Sequence, residues 1–361
     1  MTKVLGIYSN LDAADDGGGQ HSPRGVPLAG IHSQRQTVSR GATHEQKATL
    51  AAQPTRTIDG IGRAAGPPTA GSIHSTVKEL VGWKSIAVFL DDTPKGEKIG
   101  ECAVELAHRC GAHLIGLHGM SCNPAEHPSD SFACGKAAIH SVMARLQAAE
   151  RQKALAVGRL FTALSLKQGV SAEFRMIRSD RADDDTVLNS LHCDLVLIGH
   201  PDPPGLPKGW SPERLLMASG VPVLIIPDGW KSETIGNNIL VGWNASREAR
   251  RAMADAMPFL STAQSVTVLV VDPAERAGRH CEEPGADIAL CLARHGVHVD
   301  VEQATSNGSP IGEVIRSRAV DRGMDLIVVG AYSHARWAEI IFGGVTRTLL
   351  TQMPVPVLAS R

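Results

Sequence analysis

Aromatic residues are scarce. The 361-residue chain holds five Trp, two Tyr and six Phe, and residues 9–82 contain none of them. That stretch is instead rich in Gly, Pro, Ser and Ala, as in DDGGGQHSPRGVPLAG and GRAAGPPTAGSIHST. Such a segment cannot bury enough apolar area to offset its ordering entropy. Residues 1–76 are therefore predicted to be a disordered, low-complexity extension, with at most a frail helix over THEQKATLAAQ.

Charge of one sign is also missing. The formal net charge is −1, so no global field gathers nucleic acid or an anionic membrane. No run of about 18 apolar residues occurs, which excludes an obvious membrane-spanning helix. The apolar run after Lys3 is too short and too soon acidic for a secretory signal. The seven Cys are odd in number and form no C-x-x-C. They read as small buried hydrophobes in a reducing, cytoplasmic setting rather than as zinc ligands or disulfides. The fifteen His form neither H-E-x-x-H nor H-x-x-x-H, so no metal site is expected. A Walker lysine, paired carboxylates and a Ser-His-Asp pattern are missing too. No catalytic residue is assigned.

What is present is a repeat. KSIAVFLDD (84–92) has the layout of NNILVGWNA (237–245), each an apolar run followed by a polar side chain, Asp91 or Asn244. CDLVLIGH (193–200) matches MDLIVVGA (324–331), and SGVPVLIIP (219–227) matches MPVPVLASR (353–361). The order is the same in both copies, which places one domain over 77–230 and a second over 235–361. Within each, strand-length apolar runs alternate with helical patterns. Ser246 is expected to cap a helix whose Ala249, Ala252, Met253, Ala256 and Met257 follow helical spacing, with Arg247, Arg250 and Arg251 on the other face. Ser309 is expected as N-cap and Pro310 as the first residue of a helix ending at Gly323. In the first copy Ile99, Cys102, Ala103, Leu106, Ala107 and Cys110 form one stripe, and a longer helix spans about 136–168. Five near-continuous apolar strands per copy, separated by helices, imply two tandem doubly wound parallel α/β sheets. Ligands of such sheets bind beyond the carboxyl ends of the strands, where the strand order reverses.

That rule singles out GAYSHARWAEIIFGGVTRTLL (330–350). Gly330 ends a strand, and Gly343, Gly344, Val345 and Thr346 open a helix. Free amides and the dipole at a helix start favour an anion such as phosphate. Arg336 and Arg347 would add charge, whereas His334 reads more simply as a solvated loop residue than as a phosphate or base contact, and Trp337 as loop packing on the neighbouring helix rather than a base-stacking face. A plain strand-to-helix connection explains the same residues, and both readings stand. Asp183, Asp184 and Asp185 read as the acidic first turn of a helix.

At this point the chain resembles the universal stress protein family, as a tandem two-domain member over about residues 82–361. The resemblance rests on the strand followed by Asp91 or Asn244, on DLIVVGAYSHARWAEIIFGGVTRTLL, and on the VPVL strands. It implies a Rossmann-like fold with strand order 3-2-1-4-5 and pairing of the two domains within the chain through their final strands. Nucleotide-binding members carry Gly-x2-Gly-x9-Gly-Ser/Thr after the fourth strand. Here Gly330 and Gly343 match, while Ser333 stands at the second Gly and Gly344 at the Ser/Thr, with Thr346 two residues on. The family's acidic residue near the nucleotide is Asn244. The resemblance thus implies ATP, with Mg, at Asn244, Gly330, Ser333, Gly343, Gly344, Val345 and Thr346. In the first copy the equivalent reads Gly199, HPDPPGLPK, Gly209, Trp210, Ser211, Pro212, with a shorter, stiff spacing and an amide lost to Pro212. Ser211, Pro212 and Glu213 read there as N-cap, first-turn Pro and first-turn acid of a helix. That copy is expected to be scaffold. Three functions follow: a cytoplasmic stress protein binding an adenine nucleotide, one acting through homodimerisation or partner contact, and a weak nucleotide-processing enzyme.

Overall fold

A computed structural model describes residues 82–120, 136–178, 182–207, 209–231, 234–273, 283–331, 348–350 and 352–361. The N-terminal extension lies outside the described residues. So do Ser333, His334, Arg336, Trp337, Gly343, Gly344, Val345, Thr346 and Arg347.

The first copy runs β1 (Ser85–Phe89), α1 (Pro94–Cys110), β2 (His113–Met120), α2 (Lys136–Lys167), β3 (Ala172–Arg178), α3 (Ala182–Leu191), β4 (Leu195–His200), α4 (Pro212–Ser219) and β5 (Val223–Pro227). The second runs β6 (Asn238–Gly242), α5 (Arg247–Asp255), α6 (Met257–Leu260), β7 (Ser265–Val271), α7 (Ala286–Arg294), β8 (Val299–Ala304), α8 (Ile311–Asp321), β9 (Leu326–Gly330) and β10 (Val357–Ser360). Among the described residues all strands share one ten-stranded sheet ordered β3-β2-β1-β4-β5-β10-β9-β6-β7-β8. Each copy is therefore a 3-2-1-4-5 parallel array. The arrays meet where β10 runs antiparallel to β5, with Val357 opposite Ile225 and Ala359 opposite Val223.

The inner strands read as near-unbroken apolar runs because both faces are covered, whereas the edge strands β3 and β8 carry charges. Along β1, Ile86 and Val88 face one core cluster while Ala87 and Phe89 face another. The first cluster crosses the junction of the copies, joining Ile86, Leu114 and Phe161 to Ile239, Phe259 and Val268. Trp83, just before β1, meets Phe259 edge-on at 4.9 Å, a geometry worth roughly 1 kcal/mol beyond its burial. Gly236 lies under the same ring: a Cβ there would sit 2.5 Å from Phe259.

Local chemistry sets most helix ends. Thr93, Ser211 and Ser246 accept from Gly96, Arg214 and Ala249 respectively, each three residues on. Pro212 and Glu213 occupy the first turn of α4. Two expectations are corrected. The helical stripe does not continue to Met257: α5 ends at Asp255, because Pro258 has no N–H for an unbroken ladder, and the chain restarts as the short α6. Ser309 is not the N-cap of α8; Pro310 is, at φ −56° and ψ 133°, with no side-chain cap. Proline's fixed φ suits the extended cap position as well as the first helical one, so the boundary moves by one residue.

Candidate functional site

The second copy reverses strand order between β6 and β9. Beyond their carboxyl ends lie Trp243, Asn244 and Ala245 on one side, Gly330 and Ala331 on the other. Half-buried Asn244 accepts from the Ser246 amide through Oδ1 at 3.2 Å, and Ala245 takes a positive φ of 54°. Ser246 then accepts from the Ala249 amide at 3.1 Å and starts α5. The candidate ligand residue Asn244 thus builds the turn that aims this helix. Asp91 does the same after β1. Its Oδ1 takes the Thr93 amide at 2.9 Å and the Thr93 hydroxyl at 2.5 Å, and Thr93 caps α1. An amide oxygen performs this task as well as a carboxylate, which accounts for Asp in one copy and Asn in the other.

Gly330 has a packing role. A Cβ there would overlap the backbone of Glu248 and Ala249 in the first turn of α5. The glycine lets that helix lie directly against the end of β9. Glu248 is buried beside it and receives Arg247 Nε at 2.6 Å. Burial pushes its carboxyl up, but the bond from Arg247, its own backbone amide and Ser246 outweigh that and hold it below the ordinary 4.5.

The first copy reverses order between β1 and β4. There the segment after β4 turns back over the strand ends. Pro204 and Pro207 are buried, as is Trp210, whose ring lies 4.4 Å from the Arg214 guanidinium. Arg214 also donates to the Gly209 carbonyl at 2.8 Å. His118, at the end of β2, is buried and its Nδ1 lies 2.9 Å from the Leu90 carbonyl.

The amino ends of the strands carry a clamp that the sequence reading missed. Asp325, before β9, accepts the amides of Gly236, Asn237 and Asn238 at 3.1, 2.9 and 2.9 Å. Asp194, before β4, accepts those of Lys84 and Ser85 at 2.7 and 2.9 Å. The signal was available: both aspartates stand at the same place in the repeat, in CDLVLIG and MDLIVVG. A groove of about 530 Å³ opens at this same end, lined by Trp83, Cys193, Arg251 and Met257 among others. Burial pushes the Cys193 thiol up to about 11, so the groove carries no thiolate nucleophile near neutral pH. Among the described residues no group of three His, Cys, Asp or Glu is placed to hold a metal ion. No helix among them is long and apolar enough to cross a membrane.

Comparison with known proteins agrees with this architecture. Residues 237–361 match the model described as the universal stress protein family. No curated protein sequence matches the chain. Among solved structures, a universal stress protein from Archaeoglobus fulgidus DSM 4304 is similar at 14% identity and a TM-score of 0.54, over 77% of this chain and 96% of that one. A putative universal stress protein from Pseudomonas aeruginosa UCBPP-PA14 gives 17% identity and a TM-score of 0.44, over 77% and 93%. Universal stress protein UspA from Lactobacillus plantarum gives 23% and 0.29, over 36% of this chain and 99% of its own.

Proposed function

We propose, from the match of residues 237–361 to the universal stress protein family model, that this is a cytoplasmic stress protein taking an adenine nucleotide, ATP with Mg²⁺, in its C-terminal copy. The observation that carries the reading is the switch point between β6 and β9, with Asn244 just past the end of β6 and Gly330 at the end of β9. Ligands of doubly wound sheets bind at this place. With Asn244 Oδ1 taken by Ser246, the side-chain NH₂ is the group it would turn to a ribose hydroxyl. Gly343, Gly344, Val345 and Thr346 would supply amides and a hydroxyl to phosphates, with Ser333 beside them. Mg²⁺ would arrive with the phosphates, whose oxygens are its usual ligands.

A second reading has its own support. Asn244 and Gly330 both have structural work, in the α5 turn and in α5 packing. A protein of this fold without nucleotide would keep them and act through dimerisation or partner contact. Calorimetric titration of the full chain with Mg-ATP separates the two. Under the nucleotide reading heat is released, and Gly343→Val weakens binding about 100-fold or more, some 2.7 kcal/mol, without lowering Tm. A flat titration, with no nucleotide copurifying, leaves the partner reading, and light scattering then tests for a homodimer.

A further inference from the structure

In the first copy, the place where a ligand would sit is taken by the chain itself. In sheet order, β4, β1 and β2 are neighbours, and residues 204–207 cross their carboxyl ends in that sequence. Pro204 lies on Gly199 at the end of β4, where a Cβ would be 2.9 Å from its Cδ. Gly205, at φ +72°, sits so close to the end of β1 that a Cβ would overlap the Leu90 carbonyl. Pro207 lies on Gly119 of β2, where a Cβ would again be 2.9 Å away. The Gly205 carbonyl accepts the Gly119 amide at 2.7 Å. Leu206 packs on the core cluster formed by Phe89, Leu117 and Ile198.

We infer that residues 204–207 are a built-in occupant of the first crevice, so that this copy takes no small-molecule ligand and the chain offers one crevice rather than two. The segment does what a ligand would do: it covers the ends of the three strands and pairs a strand-end N–H. Its prolines reduce the entropy lost on ordering it. Expelling it would expose both prolines and leave the Gly119 amide without its partner, so an incoming ligand must first displace a seated segment. The inference concerns the copy that the nucleotide reading leaves aside, and it stands whether or not nucleotide binds elsewhere.

Two glycines of nearly equal φ provide the test. Gly220, at φ +64°, has nothing within 4 Å of a Cβ, whereas Gly205 would overlap the backbone of β1. Gly220→Ala carries only left-handed strain and is expected to lower Tm by about 2–4 °C. Gly205→Ala is expected to lower it at least twice as far. In the unsubstituted full chain, the Gly119 amide is expected to exchange hydrogen as slowly as the central strands, and saturating Mg-ATP to slow it by no more than it slows those strands, since a ligand bound in the second copy stabilises the shared core as a whole. Equal losses for the two variants would overturn the inference. So would rapid exchange at Gly119, or a slowing by Mg-ATP at Gly119 greater than that of the central strands. If Gly205→Ala fails to fold, the exchange measurement on the unsubstituted chain decides. Failure of nucleotide binding itself appears as a flat titration and leaves these results untouched.

Discussion

Gly330→Val is expected to cost about 3 kcal/mol or more of folding stability, in the upper range for overpacking. Gly330 closes β9 and pairs with Ser360 of β10. The added side chain would meet the backbone of Glu248 and Ala249, and no side-chain rotation relieves a clash with main chain. That main chain is held twice, by the Ser246 cap on the Ala249 amide and by the burial of Glu248. Gly323→Ala is the control, with φ +60° and open space around a Cβ. It should cost only about 1 kcal/mol of backbone strain. Urea denaturation of both variants checks the difference, as a fall in midpoint at constant slope. A small loss for Gly330→Val would remove the packing explanation. Because any loss of nucleotide in a Gly330 variant has this structural cause, Gly343 is the cleaner probe of the site.

Asp325→Ala is expected to be comparably severe, at about 3 kcal/mol or more, since it strips the acceptor from three backbone amides and each unpaired buried donor costs roughly 1–3 kcal/mol. The loss falls at the entry to β6, where Arg109 of the first copy also reaches, donating to the Ile235 carbonyl at 3.2 Å. Asp194→Ala should cost less, because it frees two amides at an exposed position. The pH dependence has a definite sign. Burial pushes the Asp325 carboxyl above its ordinary 3.8, against the pull of the Asn237, Asn238 and Gly236 amides. A carboxyl raised by folding favours the folded state fully below its unfolded pKa, and that contribution is lost as pH rises through the raised value. In Asp325→Asn this slope should vanish from stability measured across the acid range. A parent-minus-variant difference in slope of opposite sign would mean that the three amides outweigh burial.

The architecture was legible in the sequence because a buried parallel strand writes itself as an unbroken apolar run. DLIVVG starts one residue ahead of β9 and DLVLIG one residue ahead of β4, while AEFRMIR, with its interspersed charges, matches the edge strand β3 residue for residue. The polar alternation of VHVDVEQA marks β8 as the edge strand that the sheet order makes it. Capping serines at 211 and 246 were equally readable, since a short hydroxyl before a helical pattern has one dominant use. The jobs of the glycines were not legible. Gly330 and Gly205 answer to backbone brought near by the fold, which no local window contains. The clamps at Asp194 and Asp325 were hidden for the same reason, their amide partners lying 109 and 110 residues away for Asp194 and 87 to 89 for Asp325. At the candidate site, sequence and topology together bring Asn244 and Gly330 to one crevice, while the residues assigned to phosphate lie outside the described part of the chain.

Native mass spectrometry of the full chain with excess Mg-ATP counts occupied crevices directly. One nucleotide per chain, lost in Gly343→Val, is the predicted result. Two per chain would contradict the self-filled first crevice, and none would contradict the nucleotide reading of the second.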